Sequence, residues 1–120
     1  MERFMDFTFV AAQRLPGVGP DHRAAALHGH TFAGTVRLNA DPHPETGWVV
    51  DPADLKREID AVLAAIDHRF LNELPGLDNP STENLCRYLK AHLAERLCGR
   101  VEVELWENPA VGCTSQGARA

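Results

Sequence analysis

The chain has 120 residues and a mass of 13.2 kDa, one domain's worth of sequence over residues 1–120, with no room for a second independent core. Its 12 Lys and Arg against 17 Asp and Glu leave a formal charge of −5, so the basic excess that neutralises nucleic-acid phosphates or an anionic membrane is missing and neither partner is expected. The cysteines Cys86, Cys98 and Cys113 lack CxxC spacing, the start carries no apolar stretch behind a basic one, and the longest apolar run, Ala61 to Ile66, is far too short to cross a bilayer; free thiols in a cytoplasmic protein are expected.

Phe4 to Ala12 shows strict alternation, with Phe7, Phe9, Ala11 and Gln13 on one side and Asp6, Thr8 and Val10 on the other, which predicts a strand. Leu15 to Asp21 is broken by Pro and Gly, and Thr31 to Asn39 returns to strand character. Asp41 to Gly47 is turn chemistry, after which Trp48-Val49-Val50 reads as a hairpin return or a strand continuation. Asp51-Pro52 is an N-cap followed by proline at the first helical position. Leu55, Ile59, Val62 and Ile66 then share one face, predicting a helix that ends near Asp67-His68. Asn79-Pro80 repeats the cap-plus-proline start for a second helix striped by Leu85, Leu89, Leu93 and Leu97 until Gly99. Val101, Val103 and Leu105 alternate with Glu102, Glu104 and Trp106 as a strand, and the polar end after Cys113 reads as a short last strand or tail.

The order β-β-α-α-β-β predicts an α+β fold with an antiparallel sheet and both helices on one face. The opposite face and the sheet edges are then uncovered, for which assembly into a homo-oligomer is the natural remedy.

His28-Gly29-His30 lies just before the second strand; at strand spacing its two imidazoles fall on one side and suit two ligands of one metal, or two hydrogen-bonded loop histidines. Asp67-His68 at a helix end is an acid/base pair or a capping arrangement. Glu107 shares parity with Val101, Val103 and Leu105, so its carboxylate continues an apolar face and needs a partner, either the paired N–H donors of a bound ring or an internal cation. No glycine-rich phosphate loop and no nucleophile elbow occurs.

In fixed order the chain carries Phe9-x-Ala11-Ala12-x-x-Leu15, Leu27-His28-Gly29-His30-Thr31-Phe32, Thr46-Gly47-Trp48-Val49-Val50-Asp51, Asp67-His68-x-x-Leu71-Asn72, Pro75-Gly76-Leu77, Asn79-Pro80-Ser81-Thr82-Glu83-Asn84 and a late Glu107. This set resembles the 6-pyruvoyl-tetrahydropterin synthase family, most closely its bacterial 6-carboxytetrahydropterin synthase branch. The resemblance implies the tunnelling fold (T-fold), whose subunits join into a barrel as a trimer or hexamer with sites between subunits. It also implies a zinc ion on three histidines, a cysteine that moves protons, an assisting Asp-His pair and a glutamate that anchors the pterin ring. Carried over by position, His28 and His30 match two zinc ligands, Asp67 and His68 the pair, and Glu107 the anchor.

Two positions depart from the pattern. Gln13 stands where the first zinc histidine is expected, and an amide oxygen is a poor zinc ligand beside imidazole. Ala24, in the stretch His22-Arg23-Ala24-Ala25-Ala26-Leu27, stands where the cysteine is expected, with His22 and Asp21 the nearest titratable groups. No cofactor is therefore expected, and any zinc is held loosely by His28 and His30. The reading favoured by the sequence is a repurposed enzyme, a metal-independent lyase or cyclase acting on a small molecule. Asp67 and His68 supply its acid/base chemistry, and Glu107, Gln13, His28 and His30 form its binding wall. The alternatives are a zinc-dependent pterin synthase and a pterin-binding protein without turnover.

Overall fold

A computed structural model describes residues 1–117. Strand β1 (Glu2–Gln13) pairs antiparallel with β2 (His28–Asn39) along its whole length, from Glu2 opposite Asn39 to Gln13 opposite His28. The Pro- and Gly-broken Leu15–Asp21 segment forms no strand, and Asn72 pins the residue before it: its side chain accepts from the Arg14 N–H at 2.9 Å and donates to the Arg14 carbonyl at 2.7 Å. Helix α1 (Pro52–Leu63) begins as the sequence predicts, with Asp51 accepting from the Ala53 N–H at 2.9 Å. After it come β3 (Arg69–Phe70), helix α2 (Thr82–Ala94), β4 (Arg100–Asn108) and β5 (Val111–Thr114).

The sheet order is β3-β1-β2-β4-β5, antiparallel except for β3, which runs parallel to β1 beside Ala11 and Ala12. The sheet is therefore mixed rather than purely antiparallel, and the two-residue β3 was too short to carry a periodicity. Phe7, Phe9, Ala11, Phe32, Val36, Leu38, Val101, Val103 and Leu105 line one sheet face and form a single core with the buried faces of α1 and α2. The α+β architecture with both helices on one face stands. Gly34 lets β2 close against this core, since a Cβ there would meet the Phe7 ring and the Glu104 carbonyl at 2.5 Å. The opposite face carries exposed Phe4, Val10 and Trp106.

Four local expectations are corrected. His28 and His30 are the first residues of β2 rather than a preceding loop, because the antiparallel ladder with β1 extends to Gln13. Trp48-Val49-Val50 is not a strand; Val49 and Val50 pack against the core instead. Helix α1 stops at Leu63 and a run of turns carries the chain to Asp67 and His68, so the pair is not at a helix C-terminus. Ser81, not Asn79, caps α2, its hydroxyl accepting from the Asn84 N–H at 3.1 Å. No helix among the described residues is long and apolar enough to cross a membrane.

Candidate active site

The side-chain alternation that builds the core also builds the site. Ala11 faces His30 and Gln13 faces His28 across the β1–β2 ladder, one step beyond Phe9 opposite Phe32. The core face therefore runs on into a polar end. His30 packs edge-on against Phe32 with ring centroids 5.4 Å apart, and His28 against His30 at 5.1 Å. Glu107 arrives from β4, as its parity predicts, with Oε2 3.9 Å from His30 Nε2. Its Oε1 accepts the Thr82 hydroxyl at 3.0 Å, so the first residue of α2 orients the carboxylate. His22, Arg23, Ala24, His28, Gly29, His30 and Glu107 line one cavity of about 380 Å3.

Gln13 lies behind this wall, 2% exposed. His28 Nδ1 sits 2.8 Å from the Ala26 carbonyl, so it donates there and leaves the Nε2 lone pair of the neutral ring free. The Gln13 amide nitrogen is 3.4 Å from that Nε2 and supplies the hydrogen, while Gln13 Oε1 is buried without a hydrogen-bond partner among the described residues. A zinc ion needs that same His28 lone pair. The remaining donors, His30 and one neutral carbonyl, fall short of the three imidazoles of a zinc centre, and no group of three or more His, Cys, Asp or Glu among the described residues could hold a metal ion. These residues do not fit the three-histidine zinc that the resemblance implies.

Asp67 and His68 are not part of the cavity. They sit at the outer edge of β1: Asp67 Oδ1 accepts the Val10 N–H at 3.0 Å, the His68 N–H donates to the Val10 carbonyl at 2.6 Å, and His68 Nδ1 is 2.9 Å from Asp67 Oδ1. The Val10 N–H, more than the adjacent His68, holds the Asp67 carboxyl below the usual carboxylate range against its modest desolvation. His68 adopts a left-handed backbone, φ 59°. Sequence reasoning thus found His28, His30, Glu107 and their neighbour Gln13, but it gave no role to Thr82 or Asn72 and counted His22 only as titratable. For Thr82 the available signal was a hydroxyl at a helix start in a sequence with a late, unpartnered glutamate.

Helices over one face of a sheet, whose strand ends hold a cavity of imidazoles and one carboxylate, define a T-fold domain with a polar cavity at one end of its core. The chain belongs to the 6-pyruvoyl tetrahydropterin synthase family, whose model matches residues 3–118. It is similar to a dihydroneopterin monophosphate aldolase of Pyrococcus furiosus, 36% identical over 89 residues that cover 72% of this chain and 75% of the relative. It is also similar to a 6-carboxy-5,6,7,8-tetrahydropterin synthase of Synechocystis, 34% identical over 118 residues that cover 93% and 87%. Among solved structures it matches the 6-pyruvoyl tetrahydropterin synthase of Caenorhabditis elegans with a TM-score of 0.88 and 25% identity, covering 98% and 96% of the two chains.

Proposed function

We propose that this protein is a lyase that cleaves the hydroxylated side chain of a dihydropterin by acid/base catalysis, without a resident metal. The observation that carries this reading is the contact between the Gln13 amide and His28 Nε2, which occupies the lone pair a zinc ion would use. Glu107, oriented by Thr82, accepts the paired N–H donors of the pterin ring, and His28 and His30 contact the ring or its side chain. Similarity to a protein named as an aldolase supports carbon–carbon cleavage over the synthase reaction.

The chemistry balances without an oxidant. The His68 imidazole, held by Asp67, takes the proton from the hydroxyl on the second side-chain carbon. The bond between the first and second carbons breaks, an aldehyde leaves, and the electron pair passes into the C6=N5 imine of the ring. A proton then returns to the first carbon, giving a 6-hydroxymethyl dihydropterin. Because Asp67 and His68 stand at the edge of β1 and outside this chain's own cavity, they serve the cavity of a neighbouring copy in a trimer or hexamer. The exposed Phe4, Val10 and Trp106 and the outer edge of β1, which a strand covers only at Ala11 and Ala12 and Asp67-His68 only at Val10 among the described residues, support such an assembly.

A second reading, a zinc-dependent 6-carboxytetrahydropterin synthase, is favoured by the unpartnered Gln13 Oε1, which a cation would satisfy, and by the 93% coverage of the Synechocystis relative. Incubating the protein with 7,8-dihydroneopterin and its phosphate esters, with and without a chelator, separates the two. Chelator-resistant release of glycolaldehyde or its phosphate supports the lyase. Zinc-dependent formation of a carboxylated tetrahydropterin replaces it with the synthase, and binding without turnover leaves a pterin-binding protein.

A further inference from the structure

We infer that His22 is a substrate-touching group of this site, a neutral imidazole whose Nε2–H hydrogen-bonds the pterin nitrogen that gathers charge as the side chain is cleaved. The inference rests on the lyase reading and assigns it an electrophile. His22 caps the short turn Arg23–Ala25, its Nδ1 accepting from the Ala24 N–H at 3.0 Å. A ring nitrogen that accepts a backbone N–H carries no proton, so the proton of the neutral ring is on Nε2. That nitrogen makes no hydrogen bond among the described residues, and His22 is among the residues that line the cavity with Ala24, His28, His30 and Glu107.

The wall's polarity matches a pterin from both directions. Glu107 offers an acceptor to the ring's N–H groups, and His22 offers a donor to a ring nitrogen. A neutral Nε2–H is too weak an acid to surrender its proton, but a donor fixed by its turn and facing developing charge is effective. In the cleavage above, the electron pair of the broken carbon–carbon bond arrives at N5, which becomes the acceptor. His22 thus supplies polarisation in a site whose donor set does not fit the zinc ion, beside the Ala24 methyl that stands where the resemblance implies a thiol.

His22→Asn tests this, because a short amide also caps such a turn and keeps the Ala24 bond while removing the reach of the Nε2–H. With 7,8-dihydroneopterin monophosphate the variant is expected to lose about 100-fold in kcat with KM little changed, since the interaction strengthens only as charge develops. His22→Ser, a second capping side chain without the ring, should show the same split if either variant proves unstable. Nitrogen-15 spectra of the wild-type imidazoles should show a His22 Nε2–H tautomer whose proton shifts downfield on adding 6-hydroxymethyl-7,8-dihydropterin. Full kcat in both variants, or an Nδ1–H tautomer, overturns the role of His22 and leaves the lyase standing. A wild-type protein that does not cleave the substrate overturns both.

Discussion

His68 is the only non-glycine residue with a positive φ among the described residues, and its backbone makes an unusual stability order testable. An L side chain in the left-handed region costs roughly 1–2 kcal/mol that glycine does not incur. His68 is held there by its N–H bond to Val10 and by Asp67, which also takes the Val10 N–H. Its ring is 77% exposed, so the contact with Asp67 contributes little to folding. His68→Gly relieves the strain but gives the unfolded chain about 0.4–1 kcal/mol of extra freedom. His68→Ala keeps the strain and loses the ring. The glycine variant should therefore be the more stable of the two by about 1 kcal/mol, a shift of roughly 3–6 °C for a domain of this size, reversing the usual preference for alanine. Both should lose turnover if His68 is the base of the proposed cleavage. The assay is urea unfolding at matched protein concentration, because assembly adds to apparent stability. An alanine variant as stable as the glycine one would show that nothing imposes the left-handed backbone, and a glycine variant with full activity would remove His68 from the chemistry.

Gln13→His should convert the buried amide into a third imidazole and bring zinc bound during purification without added metal to about one per chain, well above wild type by elemental analysis. No gain would mean that side chain 13 does not face the histidine pair. Thr82→Val removes the hydroxyl that Glu107 accepts at 3.0 Å. A hydrogen bond to a charged group is worth about 1.5–3 kcal/mol, and at the low end for this half-exposed carboxylate the pterin Kd should rise about tenfold; an unchanged Kd by calorimetry would refute the orienting role. Burial pushes the Glu102 carboxyl up, but the Ser115 hydroxyl and the Lys90 ammonium outweigh it and hold the group below its ordinary value of 4.5. A depressed folded value means that its contribution to stability is complete above that ordinary value and is lost as pH falls through the folded one. Glu102→Gln should flatten the stability profile in that acidic window, and a profile that superimposes on wild type would argue against the triad.

What was legible in the sequence is what periodicity and turn chemistry dictate locally. The alternation of Phe7, Phe9, Ala11 and Gln13 placed Gln13 on the core face, as the β1–β2 register has it, and the parity of Glu107 with Leu105 placed its carboxylate there too, where it meets His30 and Thr82. The two helices followed from their leucine and isoleucine faces. The α2 cap, missed by two residues, is a local matter of Ser81 and Asn84, but the failures at the site and the sheet edge share a cause, a partner distant in sequence. His28 and His30 became strand because Gln13 and Ala11 offer a ladder to pair with. Asp67 and His68 left the helix because Val10, 57 residues away, offers both an N–H and a carbonyl. Strand β3 exists only as a parallel addition to β1, and no two-residue pattern announces that.

The same dependence explains why the substituted site is coherent rather than simply depleted. A glutamine in place of an imidazole could have left His28 with an idle lone pair. Instead the Ala26 carbonyl fixes the His28 tautomer and the Gln13 amide meets the nitrogen left over. The turn that carries Ala24 is capped by His22, itself one of the residues lining the cavity. Glu107 keeps a hydroxyl partner in Thr82, and Asp67 keeps its backbone bond at the sheet edge. A decaying site would accumulate unpaired polar groups at each of these positions. Here one buried atom, Gln13 Oε1, is unpartnered among the described residues, while His22, His28 and Glu107 are each held by a hydrogen bond to the fold and His30 by its packing on Phe32 and His28. Such a pattern is compatible with a pocket that still binds a ligand, which is the premise of the proposed lyase reading.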